Sequence, residues 1–420
     1  MYLTNIHLEN FRCYETLDLN LDPSFNIIVG INGTGKTAIL EAMRISIGSL
    51  FLDVDKHNDK IWSPGINPGD VRLMHLEMQY PVKITTTASI CEHLAPADYM
   101  FPDEVSWVRT LDTHGGRTTM QHAKDMKKVS ANLQNTVRNN PIEQIPLIAY
   151  YSTDRFKKEK RDSGIVAEGS RLRGYYNALD PLTNIKFFLE IFRTETLSSL
   201  QHGTKSAQLN AVSKAIMNCI KDCTKVYHDI KRDELIIELE SIHDLMPFNS
   251  LSDGVRTTLA MVMEIAFRCS LLNPHLGEVA PEETTGVVLI DEIDLHLHPG
   301  WQKSIITDLR NTFPKIQFIV STHAPLVIGS LQTGKIFGIS EHRAYDFPIQ
   351  YGRDANAILN EMGTSEMDDQ LKSDLDRYIL LIESGHGKEE KAINLRSTLI
   401  QKLGNDHAEI KRADMMLSFF

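Results

Sequence analysis

The sequence predicts an α/β fold built around a mainly parallel core sheet. Four continuous apolar runs, which are typical of buried strands, begin at residues 25, 145, 286 and 316. Patterns with helical periodicity lie between and after these runs, and such alternation of strands with helices favours a parallel sheet. Antiparallel strands, a helical insertion and a helical C-terminal tail are expected to complete the fold.

The elements follow in order along the chain. Residues 1–23 alternate apolar and polar side chains in two stretches around Arg12–Tyr14, which predicts a hairpin. The stretches 71–90 and 105–120 favour an antiparallel extension, and 123–140 favours a helix. The expected domains are an α/β head from 1–150 and 246–350, a mainly helical insertion at 151–245, and a helical tail at 351–420.

Composition narrows the class of protein. The chain has 420 residues, 42% of them hydrophobic, a formal net charge of −11 and five scattered cysteines. No apolar run reaches the roughly 18 residues of a membrane-spanning helix, so we expect no membrane contact and a cytoplasmic location with free thiols. The acidity argues against a protein wrapped by nucleic acid over its whole surface. The basic run at 154–162 could be a solvated loop or could contact DNA or RNA phosphates, and both interpretations stay open.

A glycine-rich turn, GINGTGKT at 30–37, follows the first apolar run and precedes a helical pattern. This is the context that a P-loop requires, in which backbone N–H groups and a helix N-terminus hold phosphates. Lys36 is expected to bridge the β- and γ-phosphates of ATP, and Thr37 to bind Mg²⁺. The residues of this turn predicted to contact ATP are Asn32, Gly33, Thr34, Gly35, Lys36, Thr37 and Ala38.

Two carboxylates end the apolar run VVLIDEID at 287–294. Ligands of open α/β sheets bind at the carboxyl ends of the strands, so these side chains should face the P-loop. Asp291 suits Mg²⁺, and Glu292 suits a general base acting on water.

Two further motifs flank this acidic strand. NSLSDGVR at 249–256 precedes a long apolar helix, so Ser252 and Gly254 could expose N–H groups to an anion or could form a simple N-cap. His323, in STHAP, follows a buried strand and is placed to touch a γ-phosphate. Asp294, which is predicted to belong to the nucleotide site, lies in DLHLHP. A metal site at His296 and His298 is the alternative, but the spacing lacks a completing ligand.

The order of these motifs resembles that of the ABC-type ATPases, with Walker A, signature, Walker B, D-loop and switch histidine. LENFR at 8–12 resembles the branch that includes RecF, SMC and OLD-like proteins, in which an arginine matching Arg12 lies close to the nucleotide. The signature departs from LSGGQ at Asp253 and Val255, and LSDG is common in OLD-like and Septu-type ATPases. Segments 145–156, 171–192 and 351–362 look like those of ATPases typified by PtuA of Septu and retron-associated antiphage systems.

The resemblance implies more than a fold. It implies ATP hydrolysis with Mg²⁺ in a homodimer or higher oligomer, where Ser252 and Gly254 of one copy face the P-loop of the other. It also implies a separate HNH nuclease (PtuB-like) as partner and, in a retron, a reverse transcriptase and its multicopy single-stranded DNA. No nuclease active site is expected in this chain.

Other interpretations stay open at the level of sequence. A RecF-like repair ATPase would bind DNA directly, and a nucleotide-binding assembly module would turn over little ATP, although Glu292 argues against the latter. An aromatic and basic set could stack on nucleic acid or could pack in the core; it comprises Tyr150, Tyr151, Arg171, Arg173, Tyr175 and Tyr176.

Overall fold

The computed structural model describes the chain except for residues 56–60, 96–103, 120–121, 155–169, 183–184, 205, 241–244, 363–368, 405–407 and 418–420. The basic run predicted as a loop or phosphate contact lies almost wholly outside the described residues.

The strands are β1 Tyr2–Phe11, β2 Tyr14–Asn20, β3 Phe25–Val29, β4 Leu73–Met74, β5 Glu77–Met78, β6 Val82–Ser89, β7 Glu104–Leu111, β8 Leu147–Tyr151, β9 Cys223–Asp229, β10 Glu234–Leu239, β11 Leu245–Pro247, β12 Gly286–Ile290, β13 Ile316–Thr322, β14 Lys335–Ser340 and β15 Arg343–Phe347. The helices are α1 Lys36–Ile47, α2 Lys124–Asn139, α3 Ile185–His202, α4 Ala207–Cys219, α5 Asp253–Leu272, α6 Ala280–Glu283, α7 Pro299–Gln302, α8 Ile305–Thr312, α9 Pro325–Ile328, α10 Ala355–Glu361, α11 Asp369–Glu383, α12 Glu390–Leu403 and α13 Ala408–Leu417.

The core is a six-stranded sheet in the order β15-β14-β3-β13-β12-β8. Every pairing in it is parallel except that of β14 with β15. All residues of β3, β8, β12 and β13 are buried, as their continuous apolar sequences require of strands covered on both faces. The predicted α/β fold with a mainly parallel sheet is confirmed. Because β3, β12 and β13 are neighbours, the loops at their carboxyl ends meet at one edge.

The antiparallel extension is a four-stranded sheet in the order β2-β1-β6-β7. Strands β1 and β2 form the expected hairpin, in which Phe11 pairs with Tyr14 across the turn. Trp107 of β7 is buried and donates its indole N–H to the carbonyl of Ser46 in α1. This bond ties the sheet to the helix that follows the glycine loop.

The region expected as a helical insertion contains helices α3 and α4 and also strands β9 and β10. Both helices pack on α5. The stretch 171–175 forms a short 3₁₀ helix. The predicted boundaries at 150 and 245 stay a prediction.

The aromatic set around the start of this region lies inside the protein. Tyr150, Tyr151, Tyr175 and Tyr176 are buried, and Tyr175 donates to the carbonyl of Pro146. Arg171 donates to backbone carbonyls, among them that of Leu272 at 2.6 Å. The stacking alternative for these rings is therefore wrong, because no ring face is open to a base.

The chain divides into two compact units, Met1–Arg353 and Asp354–Phe420. The second unit contains α10–α13 and has its own core, in which Tyr378 and Ile382 of α11 pack near Leu399 of α12 and Ile410 of α13. In the parts of the chain that are described, no helix has both the length and the hydropathy of a transmembrane segment.

Candidate functional site

The glycine loop connects β3 to α1 and is shaped by two residues with positive φ. Gly33 has φ 83° and Gly35 has φ 104°, a region that side-chain-bearing residues rarely adopt. A Cβ on Gly33 would meet no atom of the described residues within 4 Å, whereas one on Gly35 would lie 2.6 Å from Cys13 Sγ and from the hydroxyl of Tyr14. The loop is thus packed against the β1–β2 turn at Gly35 and is open at Gly33.

Hydrogen bonds within and behind the loop hold this shape. The hydroxyl of Thr34 donates to the carbonyl of Ile31 at 2.9 Å. The carbonyl of Thr34 receives the hydroxyl of Tyr14 at 3.3 Å and lies 3.4 Å from His342 Nδ1. Asn32 is exposed, and Ala38 lies in the first turn of α1.

Lys36 begins α1, and its ammonium group is folded back over the loop. Its Nζ donates to the carbonyls of Gly30 and Ile31, both at 2.9 Å. Burial lowers the pKa of Lys36, although the carboxylates of Asp291, Glu292 and Asp294 oppose that effect. An ammonium has three N–H groups, so the loop leaves one for an anion.

Asp291 stands at the end of β12 and is held at both oxygens. The hydroxyl of Thr37 donates to its Oδ2 at 2.8 Å, and the hydroxyl of Ser321, at the end of β13, donates to its Oδ1. Asp291 is only 1% exposed, so these bonds replace the water that a carboxylate otherwise needs. The structure therefore brings Thr37 and Asp291 together across neighbouring elements.

Glu292 follows in a left-handed conformation with φ 48°. That conformation costs free energy in a residue other than glycine and persists when the surroundings fix it. Here the backbone N–H of Glu292 donates to Ser321 Oγ at 2.8 Å, and the N–H of Ile293 donates to the carbonyl of Ser321 at 3.0 Å. The end of β13 therefore fixes the backbone of Glu292.

Asp294 and His323 lie side by side. His323 Nε2 is 3.9 Å from Asp294 Oδ2, and the hydroxyl of Thr322 donates to Asp294 Oδ1 at 2.5 Å. His323 Nδ1 is buried and has no hydrogen-bond partner among the described residues. The histidine thus lies next to Asp294, which is in the loop that follows the two strand-end carboxylates.

Arg12 lies in the β1–β2 turn with φ 48° and is bound to Asp70. Its Nε and one terminal nitrogen both lie 2.8 Å from Asp70 Oδ1, and that terminal nitrogen is 4.0 Å from Glu41 Oε2 on α1. About a third of the Arg12 side chain is exposed. A partly exposed guanidinium beside the loop helix keeps donors available to a bound anion.

Ser252 and Gly254 are at the start of α5 and are not part of this cluster. No hydrogen bond among the described residues joins either of them to the glycine loop. Ser252 is the exposed N-cap residue of α5, yet its hydroxyl makes no capping bond. Gly254 is pressed against the D-loop segment, since a Cβ there would lie 2.1 Å from the carbonyl oxygen of His296.

The residues present fit Mg²⁺ and a nucleotide phosphate. Thr37 and Asp291 offer hard oxygen ligands of the kind that Mg²⁺ prefers, and this ion commonly uses one or two protein ligands together with phosphate oxygens. The open front of Gly33 and the third N–H of Lys36 suit a phosphate. Among the described residues, no group of three or more His, Cys, Asp or Glu side chains could hold a metal ion.

The sequence analysis missed three residues of the site. Ser321 and Thr322 are the first two residues of STHAP. They carry no signal of their own, because hydroxyl residues are common at the end of an apolar strand. Asp70, the partner of Arg12, lies 58 residues away along the chain. A hydroxyl pair directly before the histidine is the one signal that could have indicated the first two.

A family model described as "AAA domain" matches residues 5–224, which is more than half of the chain. The chain belongs to the AAA domain family. A second AAA-domain model, whose description also mentions the AbiEii toxin and a type IV toxin–antitoxin system, matches residues 151–329. The two matches together span the glycine loop, the acidic strand and His323, and they imply nucleotide binding.

Relatives extend over nearly the whole chain. It is 25% identical to the Retron Ec83 probable ATPase of Escherichia coli, over 96% of this chain and 84% of that protein. It is 24% identical to the Septu protein PtuA of Bacillus mycoides, over 98% of this chain and 52% of that protein. It is 54% identical to the DNA replication and repair protein RecF of Escherichia coli O1:K1, over only 10% of this chain and 12% of that protein. These relatives confirm the resemblance inferred from the motifs.

Proposed function

We propose that this chain is an ATP-hydrolysing switch that controls a partner HNH nuclease in bacterial antiphage defence. The observation that carries the ATPase part is the convergence of Lys36, Thr37, Asp291 and Glu292 at one sheet edge, with one bond linking Thr37 directly to Asp291. The defence part rests on relatives named as retron and Septu proteins over almost the full chain.

The residues divide the chemistry among them. Lys36 and the loop N–H groups bind and orient the terminal phosphates, and Thr37 and Asp291 would hold Mg²⁺, which supplies positive charge beside the phosphate oxygens. Glu292 takes a proton from the attacking water, a task that suits a carboxylate whose backbone is fixed directly after the metal ligand Asp291. His323 and Arg12 add donors near the phosphates.

The signature residues act in a second copy of the chain. Ser252 keeps its hydroxyl free of any capping bond at an exposed helix start, and the helix N-terminus offers N–H groups to an anion. In two copies related by a twofold axis, the start of α5 in each copy can face the glycine loop of the other, so that each phosphate site contains residues from both. ATP then joins the copies, and its hydrolysis separates them. This requires ATP to bind the associated state more tightly than the separated state.

A partner executes the response. The resemblance implies an HNH nuclease of the PtuB type and, in a retron, a reverse transcriptase with multicopy single-stranded DNA. The competing proposal is a RecF-like ATPase that binds DNA in repair. The defence proposal is preferred because the match to RecF is limited to a tenth of the chain, whereas the retron and Septu relatives match more than nine-tenths.

A pull-down from cells carrying the neighbouring genes tests the proposal. The tagged bait is the Glu292→Gln variant, which should hold the ATP-bound state, and Lys36→Met serves as the matched variant that should not bind ATP. We expect a stoichiometric HNH protein, with or without nucleic acid, on the first bait and much less on the second. A bare homodimer that captures added DNA ends would favour the repair function instead.

A further inference from the structure

Strand β13 ends in two adjacent hydroxyl residues, Ser321 and Thr322, that the roles assigned above do not use. Both are fully buried. Side chains of successive strand residues point to opposite faces, so neighbouring hydroxyls reach different partners. Ser321 reaches the end of β12, and Thr322 reaches the loop beyond it.

Ser321 fixes the two acidic residues that follow β12. Its hydroxyl donates to Asp291 Oδ1 and accepts the backbone N–H of Glu292 at 2.8 Å. Asp291 Oδ2 is bound by Thr37, and loss of the Ser321 hydroxyl would remove a bond that holds Oδ1. It would also remove the bond that supports the left-handed backbone of Glu292.

Thr322 fixes a different segment. Its hydroxyl donates to Asp294 Oδ1 at 2.5 Å and accepts the N–H of Ala324 at 3.0 Å. The carbonyl of Asp294 in turn accepts the N–H of Leu297 at 2.9 Å, which closes the turn containing His296. The carbonyl of His296 is the group packed against Gly254 at the start of α5.

We propose that Ser321 and Thr322 are positioning residues with separate tasks. Ser321 sets Asp291 and Glu292 within its own copy, whereas Thr322 sets the D-loop segment 294–297, and through it the start of α5 that a second copy binds. This inference rests on the proposed function, because it assigns the two tasks to the two halves of a shared ATP site. His323, which is proposed to donate to the phosphates, directly follows these two residues in the chain.

The Ser321 task is tested by nucleotide binding rather than by turnover. A fluorescent ATP analogue is titrated into the full chain with Mg²⁺ and with EDTA. Ser321→Ala should bind the analogue normally in EDTA. The increase in its affinity on adding Mg²⁺ should be about tenfold smaller than in the parent, as is typical when a partner of a metal ligand is removed. Ser321→Thr, which keeps the hydroxyl, should recover most of that gain. An unchanged Mg²⁺ response in Ser321→Ala would overturn this task.

The Thr322 task is tested by self-association. Each variant is combined with Glu292→Gln, and its ATP-dependent association is measured by sedimentation velocity. Thr322→Val preserves side-chain shape and should bind the analogue within about twofold of the parent, yet associate about tenfold more weakly, a size typical of coupling through packed contacts. Thr322→Ser should restore association. Normal association of Thr322→Val, or a loss of nucleotide binding instead, would overturn this task.

Ser330→Ala is the matched control, because Ser330 is a buried serine whose hydroxyl donates to the carbonyl of Val327 outside the site. It should behave as the parent in both assays. If the parent chain binds the analogue and associates but neither variant differs from it, only the present inference fails. If the parent binds no nucleotide, the proposed function fails and this inference falls with it.

Discussion

Replacing Gly254 with alanine should slow ATP hydrolysis while leaving ATP binding intact. The new Cβ would lie 2.1 Å from the carbonyl oxygen of His296 and 3.1 Å from its carbonyl carbon. Both neighbours are backbone atoms, so no side chain can rotate away. Ordinary contact begins at 3.4 Å, so one segment must retreat by more than 1 Å, and a displacement of about 1 Å can already cost about 100-fold in rate.

The assay compares kcat, from phosphate release at saturating ATP, with the affinity for a fluorescent ATP analogue. We expect kcat to fall about 100-fold and affinity to change less than about twofold, since Gly254 does not contact the glycine loop. Overpacking should also lower the free energy of unfolding by about 1–3 kcal/mol in urea. Gly300→Ala is the control, because within the described parts of the chain its Cβ would have only His298 Nδ1, at 3.5 Å, as a neighbour within 4 Å.

Wild-type kcat in Gly254→Ala would refute the claim that this contact positions the signature helix. Equal losses in Gly254→Ala and Gly300→Ala would show that the D-loop region tolerates no added methyl group, and the specific contact would then explain nothing.

Three further substitutions test other parts of the account. Burial lowers the pKa of Lys36, so between the lowered value and the ordinary 10.5 the unfolded chain binds more protons, and stability should rise with pH in that range. Lys36→Met should abolish ATP binding and raise the Tm of the ATP-free protein. In thermal scans, the Tm of this variant should not show the increase with pH that the parent shows. Glu292→Gln should lower hydrolysis by about 10²- to 10⁴-fold with ATP binding retained, as measured by phosphate release and analogue binding. Arg268→Met should cost about 3–5 kcal/mol in urea unfolding, because it strands the buried carboxylate of Glu264, and adding Glu264→Leu should restore most of the loss.

The parts of the site that sequence could predict are those with local patterns. Gly33, Gly35, Lys36 and Thr37 occur in one short turn between a strand and a helix, and their conformation follows from the glycines. Asp291 was predictable as well, because four apolar residues before it define a strand end. In both cases the functional residues and the pattern that predicts their local structure lie within about ten residues of each other.

The remaining parts depend on contacts between distant segments. Ser321 and Asp291 are 30 residues apart and meet only because β12 and β13 pair in parallel. Gly254 is constrained by His296, which no local pattern connects to it. Tyr150 lies in a run that predicts a buried strand, but its hydroxyl needs a partner, and Glu41 on α1, which supplies that partner, is 109 residues away in the chain.

The shared ATP site is the central claim, and mixing two inactive variants tests it most directly. Lys36→Met lacks a working P-loop, and Ser252→Arg lacks a working signature, so each should be inactive alone. In a mixed twofold dimer, one site combines the intact P-loop of one copy with the intact signature of the other, and about a quarter of wild-type hydrolysis should return. If the mixture stays inactive while both variants fold and Ser252→Arg still binds the ATP analogue at its own P-loop, the site does not draw its residues from two copies.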